Sequence, residues 1–329
     1  MSFNQLPRNV VDVLERTLFS EFATVSSAGV PIDTPTYCFP SEDLSHIGVA
    51  TGMAYPAKAM RARRNPKVGL LIEGFPGQPV IAVRGIAAVR DADLQANAER
   101  YLAETGYDMV GYGLPWEEGR KAVWYWTRII IEVTPERILW WDNAEAMEHA
   151  PYIWQAPAET VFPSSDPAPA GKASASPDWP QQRTWREKAQ GALERGGPAH
   201  LTLCDEDGFP LPIPARTVEL TDEGFRLTMP AGAPWDGSGP STLTFRGIET
   251  FVGEARTEGG VTRLTVERAL PGHPLVENPI EVLQPTDDTR ARLMARLEHE
   301  AGRRGQPIPT LADLPAPTRM AELRKESLA

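Results

Sequence analysis

Apolar positions in the first third of the chain recur at two spacings. Val10, Val11, Leu14 and Leu18 repeat at helical intervals behind Pro7, which a first helical turn tolerates, so a short amphipathic helix leads the chain. Apolar runs then predict strands at about 21–26, from Pro31 through Tyr37, at 46–50, 67–72 and 79–90. Ser27-Ala28-Gly29 is a turn signal that joins the first two into a hairpin. A polar helix over about 57–64, stopped by Asn65-Pro66, separates the third strand from the fourth. The pattern continues with a helix over about 92–104, a long strand at 125–134 and a short one at 137–141.

The order returns further along. Gly29-Val30-Pro31-Ile32-Asp33-Thr34-Pro35 is matched by Gly208-Phe209-Pro210-Leu211-Pro212-Ile213-Pro214, the same Gly-x-Pro-x-x-x-Pro spacing after a strand. Gly85-Ile86-Ala87 is answered by Gly253-Glu254-Ala255, and Thr127-Arg128 by Thr262-Arg263 with Leu264 and Val266. Three matches in one order, each at a strand position, predict a duplicated module. The second copy is shorter. Ala231–Ser241 is a Gly/Pro loop where the first copy has its polar helix, and the helix at 92–104 has no counterpart.

Between the copies, Pro157, Pro163, Pro167, Pro169, Pro177 and Pro180 stand among Ala and Ser, a composition that builds no core and reads as a semi-rigid spacer. The predicted organisation is a first domain over 1–155, a linker over 156–183, a second domain over 184–284, and a helix and tail over 285–329. Leu293, Met294 and Leu297 share one face of that last helix, which is expected to dock on the second domain, with a poorly ordered tail after Pro307. The predicted class is mainly β with flanking helices, as two tandem barrels.

Composition narrows the partners. At 41% hydrophobic and 23% charged residues the chain is of globular type, and its net charge of −11 disfavours nucleic acid or an anionic membrane as main partner. Cys38 and Cys204 are far apart without metal-ligand spacing, which suggests neither a disulfide framework nor a metal site. No leader pattern and no apolar run of about 18 residues is visible, so a cytoplasmic protein is expected.

Against that acidic background one stretch is basic. A strand ends at Thr51-Gly52, and a helix carrying Lys58, Arg61, Arg63 and Arg64 begins a few residues later. A phosphate needs donors and positive charge, which a helix N-terminus, a hydroxyl and an ammonium supply together. A solvated helix face is the alternative reading. A second concentration is aromatic: Trp116, Trp124, Trp126, Trp140, Trp141 and Trp154 are six of nine tryptophans, with Tyr107, Tyr112, Tyr125 and Tyr152 nearby. Such rings stack on a planar cofactor or pack a core. Trp124 and Trp126, alternating on a strand, would share a face, and the loop 106–118 would be a lid or a surface excursion. No histidine has ligand spacing, and no nucleophile triad, Walker loop or Rossmann pattern is present.

Residues 7–145 resemble the pyridoxamine 5′-phosphate oxidase-like, FMN-binding split-barrel superfamily. The resemblance rests on Phe22-Ala23-Thr24-Val25-Ser26 followed by Gly29-x-Pro31, on Thr51 and Lys58, and on Asn65-Pro66-Lys67-Val68. It is extended by Arg84-Gly85-Ile86-Ala87 and by the run from Ile129 to Trp141 with Pro135-Glu136-Arg137-Ile138. It implies that Lys58 holds the phosphate of FMN, with Thr51 and Arg61 beside it. Backbone groups near Val49 and Leu70 would meet the ring, and Trp141 would contribute from the aromatic group. Pro56-Ala57 replaces the Ser-Arg that precedes this lysine in the vitamin B6 oxidases, and their Arg-Leu-x-Pro ending is absent, so that activity is not expected. Relatives in the superfamily bind FMN, F420 or haem. The expected function is an FMN-dependent oxidoreductase acting on a small molecule, for which the tryptophans suggest an aromatic one. The alternatives are a non-catalytic flavin or haem carrier or sensor, and an F420-dependent reductase. Superfamily sites lie between two modules, so an internal pseudo-dimer of the barrels, or a homodimer, is expected.

Overall fold

The computed structural model describes residues 3, 5–17, 19–105, 114–174, 183–245, 249–271 and 283–316. Helix α1 (Arg8–Arg16) buries Val10, Val11, Val13 and Leu14. Seven strands follow in the first half: β1 (Phe19–Val25), β2 (Pro31–Pro40), β3 (Ile47–Gly52), β4 (Lys67–Glu73), β5 (Val80–Arg90), β6 (Arg128–Trp141) and β7 (Tyr152–Gln155). Their order is β3-β2-β1-β4-β5-β6-β7, and β3 pairs with β6 as well, so six strands close into a barrel with β7 on its rim. Closure removes the open edges that would otherwise template pairing. Helix α2 (Ala57–Arg64) lies over β1, β5 and β6, and α3 (Leu94–Thr105) over β6 and β2.

One stretch departs from the expected pattern. The two strands predicted at 125–134 and 137–141 are a single strand, β6, beginning only at Arg128. Its register against β5 shifts between Arg84 and Gly85, where Gly85 faces Pro135. A bulge tolerates a proline that an unbroken ladder would not. Residues before Arg128 form two short helices, α4 (Trp116–Gly119) and α5 (Val123–Trp126). Trp124 and Trp126 therefore do not alternate on a strand. The predicted lid falls largely on 106–113, outside the described residues.

The second half contains α6 (Trp185–Arg195), opened by a Thr184/Glu187 capping box. Its strands are β8 (Ala199–Cys204), β9 (Pro210–Pro214), β10 (Thr217–Leu220), β11 (Gly224–Thr228), β12 (Gly239–Phe245), β13 (Glu249–Glu258) and β14 (Val261–Ala269). The order β10-β11-β14-β13-β12-β8-β9 mirrors the first sheet, but it curls without closing. Pro210, Pro212 and Pro214 occupy alternate positions of β9, so three N–H groups are missing along one edge. Leu211 and Ile213 face Leu203 and Leu201 of β8, and the proline edge has no donors with which to complete a barrel. The duplication is visible in detail. Gly29 and Gly208, at the matching hairpin turns, both have positive φ, 79° and 81°, and the register shifts at Gly85 and at Gly253 occupy matching strands.

The halves meet through β9 on β4 and β1, and through β12 and β8 on β2. Leu71, Val80, Ala82, Leu139, Trp141 and Met147 of the first half form one buried cluster with Leu211 and Ile213 of the second.

The last helix, α7 (Asp287–Arg303), docks on the first half, not on the second. Leu293, Leu297 and Ala301 join the core of the first barrel, and Arg296 Nε donates to the Ala54 carbonyl at 2.9 Å. The residues just past Pro307 also differ from expectation: Leu311 is buried, Trp116 Nε1 donates to the Leu314 carbonyl at 2.9 Å, and Gln95 Nε2 to that of Thr310 at 3.1 Å. The proline-rich stretch is tied down over its described part. The Asp166 carboxylate accepts from the backbone of Asp91 and Ala92 at 2.8 and 2.9 Å, and Ser165 Oγ from Val89 at 2.9 Å. Polyproline-like chain has free donors and acceptors to give, and here the first barrel takes them.

Candidate anion and cofactor site

Strand β3 ends at Gly52, and a short turn carries the chain into α2, whose first residues are Ala57 and Lys58. Lys58 is partly buried, and its ammonium donates to the Pro35 carbonyl on β2 at 3.0 Å. One turn on, Arg61 Nε donates to Thr24 Oγ1 on β1 at 2.7 Å, and Arg64 reaches the Val25 carbonyl at 3.1 Å. Arg63 points the other way, to Asp91 at 2.7 Å. The basic helix therefore has two faces. Lys58 and Arg61 turn toward the hairpin β1–β2, while Arg63 serves as a structural tie to α7, whose neighbour Arg304 shares Asp91 at 2.9 Å.

Arg128, which the sequence reading did not single out, joins the first of these faces. It pairs with Gly52 at the start of β6 and is buried, its guanidinium lying 4.1 Å from the ring centre of Tyr125 and 4.5 Å from that of Tyr101. Two rings hold the plane of the guanidinium by cation–π contact. Its Nε has no hydrogen-bond partner among the described residues. The positive charges press on one another: burial, then Arg61, lowers the Lys58 ammonium to about 8. Burial, then Arg64, lowers Arg61 to about 10.

Two acids stand close by on the same outer face of the hairpin. Glu21 lies opposite Pro35 in the β1–β2 register, and Asp33 is two residues before Pro35. Both are buried, and neither carboxylate finds a hydrogen bond of good geometry among the described residues. Burial, and then the nearness of Glu21, raises Asp33 well above its ordinary value, which disfavours a negative charge there. Glu21 is answered from the second half. His200, fully buried on β8, places Nε2 2.9 Å from Glu73 and Nδ1 3.5 Å from Glu21.

The other expected site residues are placed as follows. Thr51 is buried, and its hydroxyl donates to the Tyr55 carbonyl at 3.3 Å, within the turn that leads to Lys58. Val49 and Leu70 are barrel-interior residues whose strands are paired on both sides: Val49 between Cys38 and Ile131, Leu70 between Phe22 and Val83. The ladders on both sides engage the backbone at these two residues. Trp141 lies at the opposite end of the 14-residue β6 from Arg128, its indole donating to the His149 carbonyl at 3.0 Å within the interface between the halves. The structure thus joins Thr51, Lys58 and Arg61 and leaves Val49, Leu70 and Trp141 apart. Most of the remaining aromatics pack together. Trp116, Tyr125 and Trp126 make edge-on contacts at 4.8 to 5.3 Å, and the Trp126 indole donates to Gly119 at 2.8 Å.

What sequence reasoning missed was Arg128, Glu21, Asp33 and His200. A weak signal existed for the acids, since a carboxylate in the middle of an otherwise apolar or hydroxyl-bearing strand needs a partner. His200 had none, because its partners come from more than a hundred residues away.

A closed six-stranded barrel followed by a curled half-barrel, with a basic helix across one barrel, makes this a mainly β protein with two barrel-like domains. No family model and no curated protein matches the sequence. Among solved structures it is similar to General Stress Protein 26 from Bacillus anthracis, at 18% identity over 45% of this chain and 96% of that one, TM-score 0.30. It is similar to a pyridoxamine 5′-phosphate oxidase-related, FMN binding protein from Nostoc punctiforme, at 14% identity over 48% of this chain and 95% of that one, TM-score 0.35. It is also similar to an F420 reductase, at 19% identity over 40% of this chain and 98% of that one, TM-score 0.29. Among the described residues no helix is long and apolar enough to cross a membrane, and no group of three or more candidate ligands is placed to hold a metal ion.

Proposed function

We propose that the first half binds FMN through its phosphate at the β3–α2 turn, and that the protein is an FMN-dependent oxidoreductase. The observation that carries this reading is positive charge without enough negative charge to answer it. Lys58, Arg61 and Arg128 lie together, burial and then Arg61 lower the ammonium, Asp33 is raised above its ordinary value, and Arg128 Nε has no hydrogen-bond partner among the described residues. A dianionic phosphate suits such a place, because each cation and each orphaned N–H gains a partner from the same group. In this reading Lys58 and Arg61 hold the phosphate, Thr51 shapes the turn, and Arg128 adds charge from β6. Bound flavin supplies the two-electron chemistry, and the protein's part is to orient it and control access.

A non-catalytic flavin carrier is the second reading. It is favoured by the aromatic side chains, which are engaged in packing instead of walling a substrate pocket beside α2.

Titration of the apo-protein with FMN and with riboflavin tests the site. Lys58→Ala should weaken FMN binding about tenfold to a hundredfold, the worth of one hydrogen bond to a charged group. Riboflavin, which lacks the phosphate, should be little affected. Equal losses for both ligands, or none, would reduce α2 to a solvated surface. Flavin absorbance bleached by NAD(P)H without oxygen and restored by an acceptor would separate the enzyme from the carrier.

A further inference from the structure

We propose that His200, contributed by the second half, is a positioning residue for the anion site of the first: it holds the Glu21 carboxylate away from Lys58 and so keeps that ammonium available to a phosphate. The inference rests on the reading of Lys58 given above and assigns the second half a part in it.

The geometry runs across three strands. Glu21 on β1 faces Leu71 of β4 on one side and Pro35 of β2 on the other, and Glu73 stands two residues beyond Leu71 on the same face of β4. Lys58 donates to the carbonyl of Pro35, the residue opposite Glu21. From the opposite barrel His200 enters between the two glutamates, within 2.9 Å of Glu73 and 3.5 Å of Glu21. The second half covers the next acid as well. Thr244 and Thr250 donate to the Asp33 carbonyl at 3.4 Å each, and the Thr202 hydroxyl stands beside its carboxyl. The titratable groups facing His200 are thus Glu21 and Glu73, with Asp33 and Lys58 one step removed.

Without a cation at position 200, Glu21 is left facing Lys58, whose ammonium it favours. A buried carboxylate that loses its partner takes the nearest cation, and a phosphate approaching a lysine so paired meets the carboxylate as a like charge beside the ammonium. Burial alone would strip a proton from His200, but the flanking glutamates overcome it, and the imidazole is raised to about 10. At neutral pH it is a fixed cation. The second barrel lacks a basic helix of its own, and in this arrangement it needs none. It serves the first barrel's site as a lid of fixed charge.

The test is a double-mutant cycle read with two ligands, FMN and riboflavin, on the full-length protein. In His200→Gln, FMN affinity should fall about tenfold while riboflavin affinity holds, because one charge interaction is lost. In His200→Gln/Glu21→Gln, the preference for FMN should return to the wild-type level, since the competing carboxylate is gone. General damage to the interface would lower both ligands together and would not be reversed by the second change, and that pattern overturns the proposal. An unchanged FMN preference in His200→Gln, with Lys58→Ala still losing it, overturns the role of His200 and leaves the phosphate site standing. Failure of Lys58→Ala to alter the preference overturns both. As a ligand-free check, the imidazole resonances of His200 should stay those of a cation through pH 8. Titration of His200 near its ordinary value of 6.5 would sink the idea.

Discussion

A Cβ placed on Gly69 in β4 would overlap the carbonyl oxygen of Pro210 in β9, and one on Gly232 would overlap that of His149. Both contacts join the two halves, so the absence of a side chain is what lets the backbones approach. Backbone does not move aside as a flexible side chain does. Gly69→Val should therefore force the halves apart at β4 and cost about 1–3 kcal/mol, the usual range for overpacking. Trp141 and Trp235 flank this interface, so their fluorescence should shift to the red, while amide protection in β5 and β6 stays near wild type. An unshifted spectrum at wild-type stability would mean that β9 does not sit against β4. Residue by residue, what was legible was local. Thr51, Lys58 and Arg61 lie within eleven positions of one another, a span that local pattern covers. That the strands at Val49 and Leu70 are paired on both sides is not legible from spacing.

At the scale of elements, α7 is the clearest case of a segment whose place its own pattern does not give. The amphipathic stripe at Leu293 and Leu297 predicts that the helix docks, and says nothing about where. The docking on the first barrel is decided by a set of distant partners. Arg304 meets Asp91, Gln306 accepts from the Leu94 backbone at 2.8 Å, and Leu297 is fully buried in the first core. Leu297→Ala should cost about 2–5 kcal/mol, and the loss should appear in the first half. Hydrogen exchange should quicken in α5 and β3 and remain unchanged in β11 and β14. Faster exchange confined to the second sheet would contradict this docking. The strap at 157–174 teaches the same point from the other side. Its composition rightly excludes a core of its own, yet the carboxylate of Asp166 and the hydroxyl of Ser165 bind it to β5 and the start of α3.

For the whole molecule the buried charges make stability depend on pH in a defined direction. His200 is raised from 6.5 to about 10 in the fold. Its contribution is complete below 6.5 and is lost as pH rises toward and through 10. Asp33, also raised, acts in the same sense. Lys58 is lowered from 10.5 to about 8, so its contribution has the opposite sign and sets in only above 8. The window from 6.5 to 8 therefore isolates the raised groups. Across it the melting temperature should fall, by the equivalent of up to about 2 kcal/mol for each such proton, and His200→Gln should remove one proton's share of that slope. A wild-type protein that gains stability over this window would show that His200 is not held as a cation.

By itself the sequence determined that this is a mainly β chain of two related modules, where the strands and the basic helix lie, and that the second module lacks that helix. These features are encoded in neighbours, through periodicity, turn residues and proline positions, and so survive without a fold. The tertiary structure alone decided that the first barrel closes and the second does not, although the three alternate prolines of β9 were in plain view. It also decided that α7 crosses back to the first barrel, and that Arg128, Glu21 and Asp33 gather around Lys58 with His200 between Glu21 and Glu73. The charged cluster has one physical reason: a buried charge is tolerated only where another reaches it, and those partners come from packed strands that lie up to about 180 residues apart in sequence.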